Sequence, residues 1–121
     1  MSRGPLTITE MRRLVRKLSR ALPTLYPVRL TRDQMNDAWG DCNVICTRGK
    51  RYLLIRVADW LPWPADFLVL IHEFAHARAW RPDHQEARES EDHDPEWGIR
   101  LAEVGIRLAE VWRTEPWKEV D

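Results

Sequence analysis

The chain has 121 residues, 44% of them hydrophobic and 31% charged, the balance of a globular domain with one core and no room for a second. Its 19 Lys and Arg offset 19 Asp and Glu, so the formal net charge is zero and a uniformly basic, polyanion-coating protein is excluded. No apolar run approaches the ~20 residues that span a bilayer, and the first residues lack a signal peptide's apolar stretch, so a single cytoplasmic domain over residues 1–121 is expected.

The zero balance conceals an asymmetry. Residues 1–32 hold eight basic side chains, Arg3, Arg12, Arg13, Arg16, Lys17, Arg20, Arg29 and Arg32, against one acid, Glu10. Thr7 and Glu10 have the spacing of a capping box. In the helix this predicts, Met11, Leu14, Val15, Leu18 and Leu22 take one side and basic residues the other, as far as Pro23. Such a basic face is either simply solvated or a surface for nucleic acid or an acidic protein partner, and the lack of overall basicity favours the first.

Tyr26 to Leu30 can form a short strand. Asp41–Thr47, the turn Arg48-Gly49 and Lys50–Val57 read as a β-hairpin rich in Val, Ile, Leu and Tyr. Cys42 and Cys46 fall on one face of its first strand, about 13 Å apart at ~3.3 Å per residue, beyond the ~7 Å reach of a disulfide. Both are expected as buried small apolar residues, not as a bridge or a second metal site.

Pro62 and Pro64 on one side and Pro82 on the other bracket a helix over Ala65–Trp80. Its apolar residues Phe67, Leu68, Leu70, Ile71, Phe74, Ala75 and Ala77 run nearly all round, which predicts burial in the middle of the domain. This helix carries His72-Glu73-Phe74-Ala75-His76. Residues four apart lie one turn above each other, so both imidazoles can reach one zinc ion at roughly 2.0 to 2.1 Å. Glu73, one residue round, is poorly placed for the same chelate but well placed to take a proton from a water at the ion's open position.

A third ligand is sought downstream, among Asp83, His84, Glu86, Glu89, Glu91, Asp92, His93, Asp94 and Glu96. His93 is the expected one, because it stands just before Pro95 and a second helical stretch that can bring the chain back across the first helix. His84 is the rival, although it follows directly on the helix-ending proline. The acidic run itself is either a solvated linker or a local attractor of cations.

The last element contains an internal repeat, Gly98–Val104 followed by Gly105–Val111 with the same seven residues. On a helix, Arg100, Glu103, Arg107 and Glu110 form a narrow polar strip, and Gly98 and Gly105 fall near the centre of the apolar face. Each glycine costs roughly 1 kcal/mol against alanine, so the expectation is close approach by the His72–His76 helix; a coiled-coil seam is the alternative, with too few heptads to support it. Of seven tryptophans, Trp60, Trp63, Trp80 and Trp97 flank the motif and either wall a cleft or fill core volume, Trp97 beneath the site.

His72-Glu73-x-x-His76, an intervening polar loop and His93-Asp94-Pro95-Glu96-Trp97 together resemble the small SprT-like zincin metallopeptidases, including compact versions from phages and mobile elements. The likeness spans roughly residues 39 to 113 and takes in Trp39-Gly40 and the strand Arg51–Val57. It implies an α+β, minimal zincin-like domain with an N-terminal helix, a small sheet including a hairpin, a buried HExxH helix and a C-terminal packing helix. It further implies Zn2+ held by His72, His76 and His93, Glu73 as general base, and a peptide or protein substrate. The second hairpin strand would lie at the sheet edge, where an extended peptide can add itself. The spacing to His93 is too long for the metzincin pattern, and no cysteine follows Cys46 to form the zinc ribbon of larger SprT-like proteins. The alternative from a different class is a catalytically inactive, zinc-stabilised binding module that contacts nucleic acid or a protein through its basic first helix.

Overall fold

The computed structural model describes residues 4–81 and 95–111. It is an α+β fold of α1 (Ile8–Ala21), β1 (Val28–Asp33), β2 (Gly40–Thr47), β3 (Lys50–Ala58), α2 (Ala65–Ala79) and α3 (Pro95–Val111). Helix α1 starts where the capping box predicts. Glu10 N donates to Thr7 Oγ1 at 3.1 Å and Thr7 N donates to Glu10 Oε1 at 3.0 Å, so two amide groups without helical partners are satisfied together. Its apolar stripe, Met11, Leu14, Val15 and Leu18, is buried.

The three strands form one sheet in the order β1-β3-β2, with β1 parallel and β2 antiparallel to β3. The hairpin turns through Arg48 and Gly49 at φ 53° and 76°, the left-handed pair whose twist suits two-residue hairpins. Because side chains alternate across a strand, Leu53, Ile55 and Val57 of β3 align with Leu30 of β1 and with Cys42 and Val44 of β2 in one buried layer. Helix α1 lies against β1 and α2 against β2 and β3, while α2 and α3 pack together.

Several expectations are corrected. The first strand is shifted to Val28–Asp33 and pairs with β3 along its whole length. The second hairpin strand is therefore the middle of the sheet, bonded on both sides, and the edge beside α2 belongs to β2. Cys42 is buried, but Cys46 is exposed near the hairpin end. Helix α2 is not enclosed all round: Leu68 is 59% exposed. Gly98 and Gly105 are exposed and face open space among the described residues, whereas Val104 is fully buried and Glu103, from the presumed outer strip, reaches α2. The glycines therefore lie on the outer side of α3.

The start of α2 is fixed by a buried carboxylate. Asp66, with no exposed surface, accepts from Leu6 N at 2.7 Å through Oδ2 and from Phe67 N at 2.8 Å through Oδ1. Arg32 stands 3.8 Å from the same Oδ2 and donates to the carbonyls of Leu6, Ala58 and Leu61 at 2.8, 3.0 and 3.2 Å. One charged pair thus ties the approach to α1, the end of β3 and the first turn of α2, and a buried charge held this way keeps both its solvation and its geometry. Among the described residues no helix is long and apolar enough to cross a membrane.

Candidate metal centre

The second and third turns of α2 carry His72, Glu73 and His76 where the sheet, α3 and an open groove meet. The two imidazoles lie one turn apart with ring centroids 5.0 Å from each other at 62°. The His72 side chain is 35% exposed, while His76 is buried, with Nε2 shut off from solvent. Glu73 is buried as well, and its Oε2 stands 3.9 Å from His72 Nε2.

Trp97 of α3 closes the inner side. Its ring lies 4.9 Å from the His72 ring and 5.5 Å from the His76 ring, and its Nε1 points at the His72 carbonyl from 3.5 Å. The expectation that Trp97 packs against the motif therefore holds. Helix α3 is held in place by Arg78, whose Nε donates to Glu103 Oε1 at 2.8 Å and whose other end bonds the Pro23 carbonyl. The Arg78 hydrogen bond keeps the Glu103 carboxyl below its usual range.

Glu73 faces β2. A Cβ added to Gly40 would stand 2.6 Å from Val69 Cγ1, 2.8 Å from the Arg56 carbonyl and 3.4 Å from Glu73 Cγ, so only glycine lets the strand end approach the helix this closely. The neighbouring Asp41 is gripped by Arg56 directly opposite on β3, through Nε to Oδ1 at 2.9 Å and through the second guanidinium nitrogen to Oδ2. Burial first, and the Asp41 charge second, push the Glu73 carboxyl up from 4.5 to about 8. Its Oε1 is buried and has no hydrogen-bond partner among the described residues. A carboxyl in that state needs a proton, a water or a cation to offset its desolvation. Cys42, behind the site, has its thiol pushed up by burial and then by Glu73, which makes it an inert core residue and not a thiolate ligand.

In front of His72 and Glu73 a groove of about 420 Å³ is lined also by Trp39, Gly40, Ala65, Leu68 and Val69. Trp39 is 60% exposed and stands on the rim opposite Leu68. Of the tryptophans expected as cleft walls, Trp80 is buried in the core, Trp63 packs on Phe67 with centroids 5.6 Å apart, and Trp60 donates to the Met35 carbonyl at 2.7 Å. The wall is Trp39, which the sequence marked as part of the family likeness together with Gly40 but not as a cleft residue. His93, the expected third ligand, and its rival His84 lie outside the described residues. Within those residues no set of three or more His, Cys, Asp or Glu side chains could hold an ion.

Two imidazoles one turn apart are ligands of the type that zinc takes, and the described residues alone do not complete such a site. No family model, curated protein or solved structure matches this chain.

Proposed function

We propose that the chain is a zinc-dependent metallopeptidase related to the SprT-like zincins, with His72, His76 and His93 as metal ligands and Glu73 as general base. The observation that carries this reading is Glu73, a buried carboxyl whose Oε1 has no hydrogen-bond partner among the described residues, beside His72 and opening on a groove. A purely structural zinc site gains nothing from a carboxyl kept there, and closes its fourth position with a protein ligand.

Zinc bound at the histidines would polarise a peptide carbonyl and acidify the attacking water. Glu73 takes that water's proton and passes it to the leaving amine, a role suited to a carboxyl whose affinity for protons is raised by burial. Trp97 holds both imidazoles against rotation. The groove between Trp39 and Leu68 receives the chain to be cut, alongside the outer edge of β2. Trp97 lies four residues beyond His93 in sequence and touches both imidazoles, which supports a ligand role for His93.

The test is metal analysis of purified wild-type, His93→Ala and Glu73→Gln proteins, with peptide cleavage measured on each. Wild type is expected to hold one zinc per chain, His93→Ala to lose it, and Glu73→Gln to keep the zinc while cleavage collapses. Wild-type protein without stoichiometric metal would overturn the reading. Zinc retained by His93→Ala would move the third ligand to His84 or an acid of the loop.

A further inference from the structure

Five large hydrophobic side chains are exposed among the described residues, Leu25, Trp39, Trp60, Leu68 and Ile99. Two of them, Trp39 and Leu68, line the same groove, and the groove is the one that holds His72 and Glu73. Single apolar side chains scattered over a surface are ordinary, whereas a pair kept open around one cleft marks a place where something apolar is received. Neither wall is free to close over it. The Trp39 carbonyl accepts from Ala58 N at 2.8 Å, which ties it to the end of β3, and Gly40 beside it is seated against Val69 of α2 with no space for a methyl group. The strand end and the helix are thus held apart at one fixed width before any ligand arrives.

The lining also selects by charge. Among the described residues no Lys, Arg or Asp lines the groove, and its ionisable side chains are His72 and Glu73, which the peptidase reading assigns to the metal and the attacking water. The neighbouring Asp41 is engaged by Arg56 and does not line it. A charged side chain placed between Trp39 and Leu68 would lose water and gain no partner, while an apolar one is buried from both sides. The spacing says which side chain this is. Leu68 lies one helical turn before His72, a rise of ~6 Å, and successive residues of an extended chain are ~3.3 Å apart. A carbonyl held at His72 therefore brings a residue adjoining the cleaved bond level with Leu68.

We infer that the groove selects peptides with a large apolar side chain, aromatic or branched aliphatic, on a residue adjoining the cleaved bond, and that Trp39 and Leu68 are the pair that determines this specificity. The inference rests on the peptidase reading and adds to it the class of substrate.

The test uses the full chain supplemented with zinc. A reduced, unfolded protein is digested and its cut sites are read by mass spectrometry; quenched fluorescent peptides built on the commonest site then carry Leu, Phe, Ala, Asp or Lys at each flanking position in turn. At one of these positions wild type is expected to cut the Leu or Phe peptide with a kcat/KM at least about tenfold above the Ala, Asp and Lys peptides, the lower end of what one methylene contributes in an apolar pocket. Leu68→Asp should lower the Leu-to-Lys ratio at least about tenfold by giving a cation its partner, a change that a loss of folded protein does not produce. Leu25→Asp, an exposed leucine outside the groove, should leave the ratio as in wild type. Melting curves establish that the variants are folded; should Leu68→Asp fail to fold, Leu68→Ala replaces it, with a lowered Leu-to-Ala ratio expected. Cleavage absent from wild type, or undiminished in Glu73→Gln, would overturn the peptidase reading and this inference with it. Cleavage that depends on Glu73 but shows no apolar preference, or a preference unmoved by the Leu68 substitution, would overturn the inference alone.

Discussion

Gly40 faces Glu73 with no room for a larger residue, since a methyl group on the first would stand 3.4 Å from the second's Cγ while pressing harder still on Val69 and the Arg56 carbonyl. The strand that borders the groove and the helix that carries the motif therefore share one tolerance, set by a missing side chain.

Gly40→Ala is accordingly expected to push β2 away from α2. Overpacking of this kind costs about 1–3 kcal/mol, read as a lowered melting temperature. Because the added methyl group would crowd Glu73, peptide cleavage should fall by more than zinc content does. A variant that melts and cleaves like wild type would show that the strand end yields freely.

Trp97 is expected to matter to the metal without touching it. Trp97→Ala removes the ring that rests on both imidazoles and should weaken zinc binding by about tenfold or more, as loss of a ligand's supporting contacts does. Trp97→Phe should lie between. Competition with a chromogenic chelator measures both.

The buried Glu73 makes a pH prediction for the zinc-stripped protein. Its carboxyl is raised to about 8 in the folded chain against 4.5 as the ordinary value, so between those pH values the folded state binds more protons than the unfolded one. Stability therefore falls as pH rises through this window, by an amount on the order of a few kcal/mol. Glu73→Gln should remove that part of the slope. Urea denaturation in chelator at pH 5 and pH 8, wild type beside variant, checks it: the variant should gain most at pH 8 and little at pH 5.

Asp66→Ala should be the most damaging change outside the motif. It leaves the Arg32 guanidinium without its carboxylate and the Leu6 amide without its acceptor, a loss of about 3–5 kcal/mol for a broken buried pair. The urea midpoint is the readout.

Local features were legible from the sequence. The capping box at Thr7 and Glu10, the hairpin turn at Arg48-Gly49 and the bracketing of α2 by prolines depend on residues within a turn of each other, where side-chain chemistry decides the backbone. Long-range pairing was not. The alternation in β3 is the same whether one or both edges are bonded, so the parallel partner β1 could not be foreseen and β3 was placed at the sheet edge. The repeat in α3 misled for a related reason. Its periodicity separates a polar strip from an apolar face, but the buried side is chosen by Trp97 meeting the histidines and by Glu103 meeting Arg78. At the site, His72, Glu73 and His76 followed from their spacing alone, while Gly40 and Trp39, thirty-odd residues upstream, come to the groove only through the packing of sheet on helix.

The exposed thiol of Cys46, beside the hairpin turn, has a consequence at the bench. It stands clear of the core, so air oxidation can join two chains there, and soft sulfur gathers stray zinc whatever the histidines do. Cys46→Ser preserves the strand and removes both artefacts. In that background a metal ion that stays with the chain is not one held by this thiol.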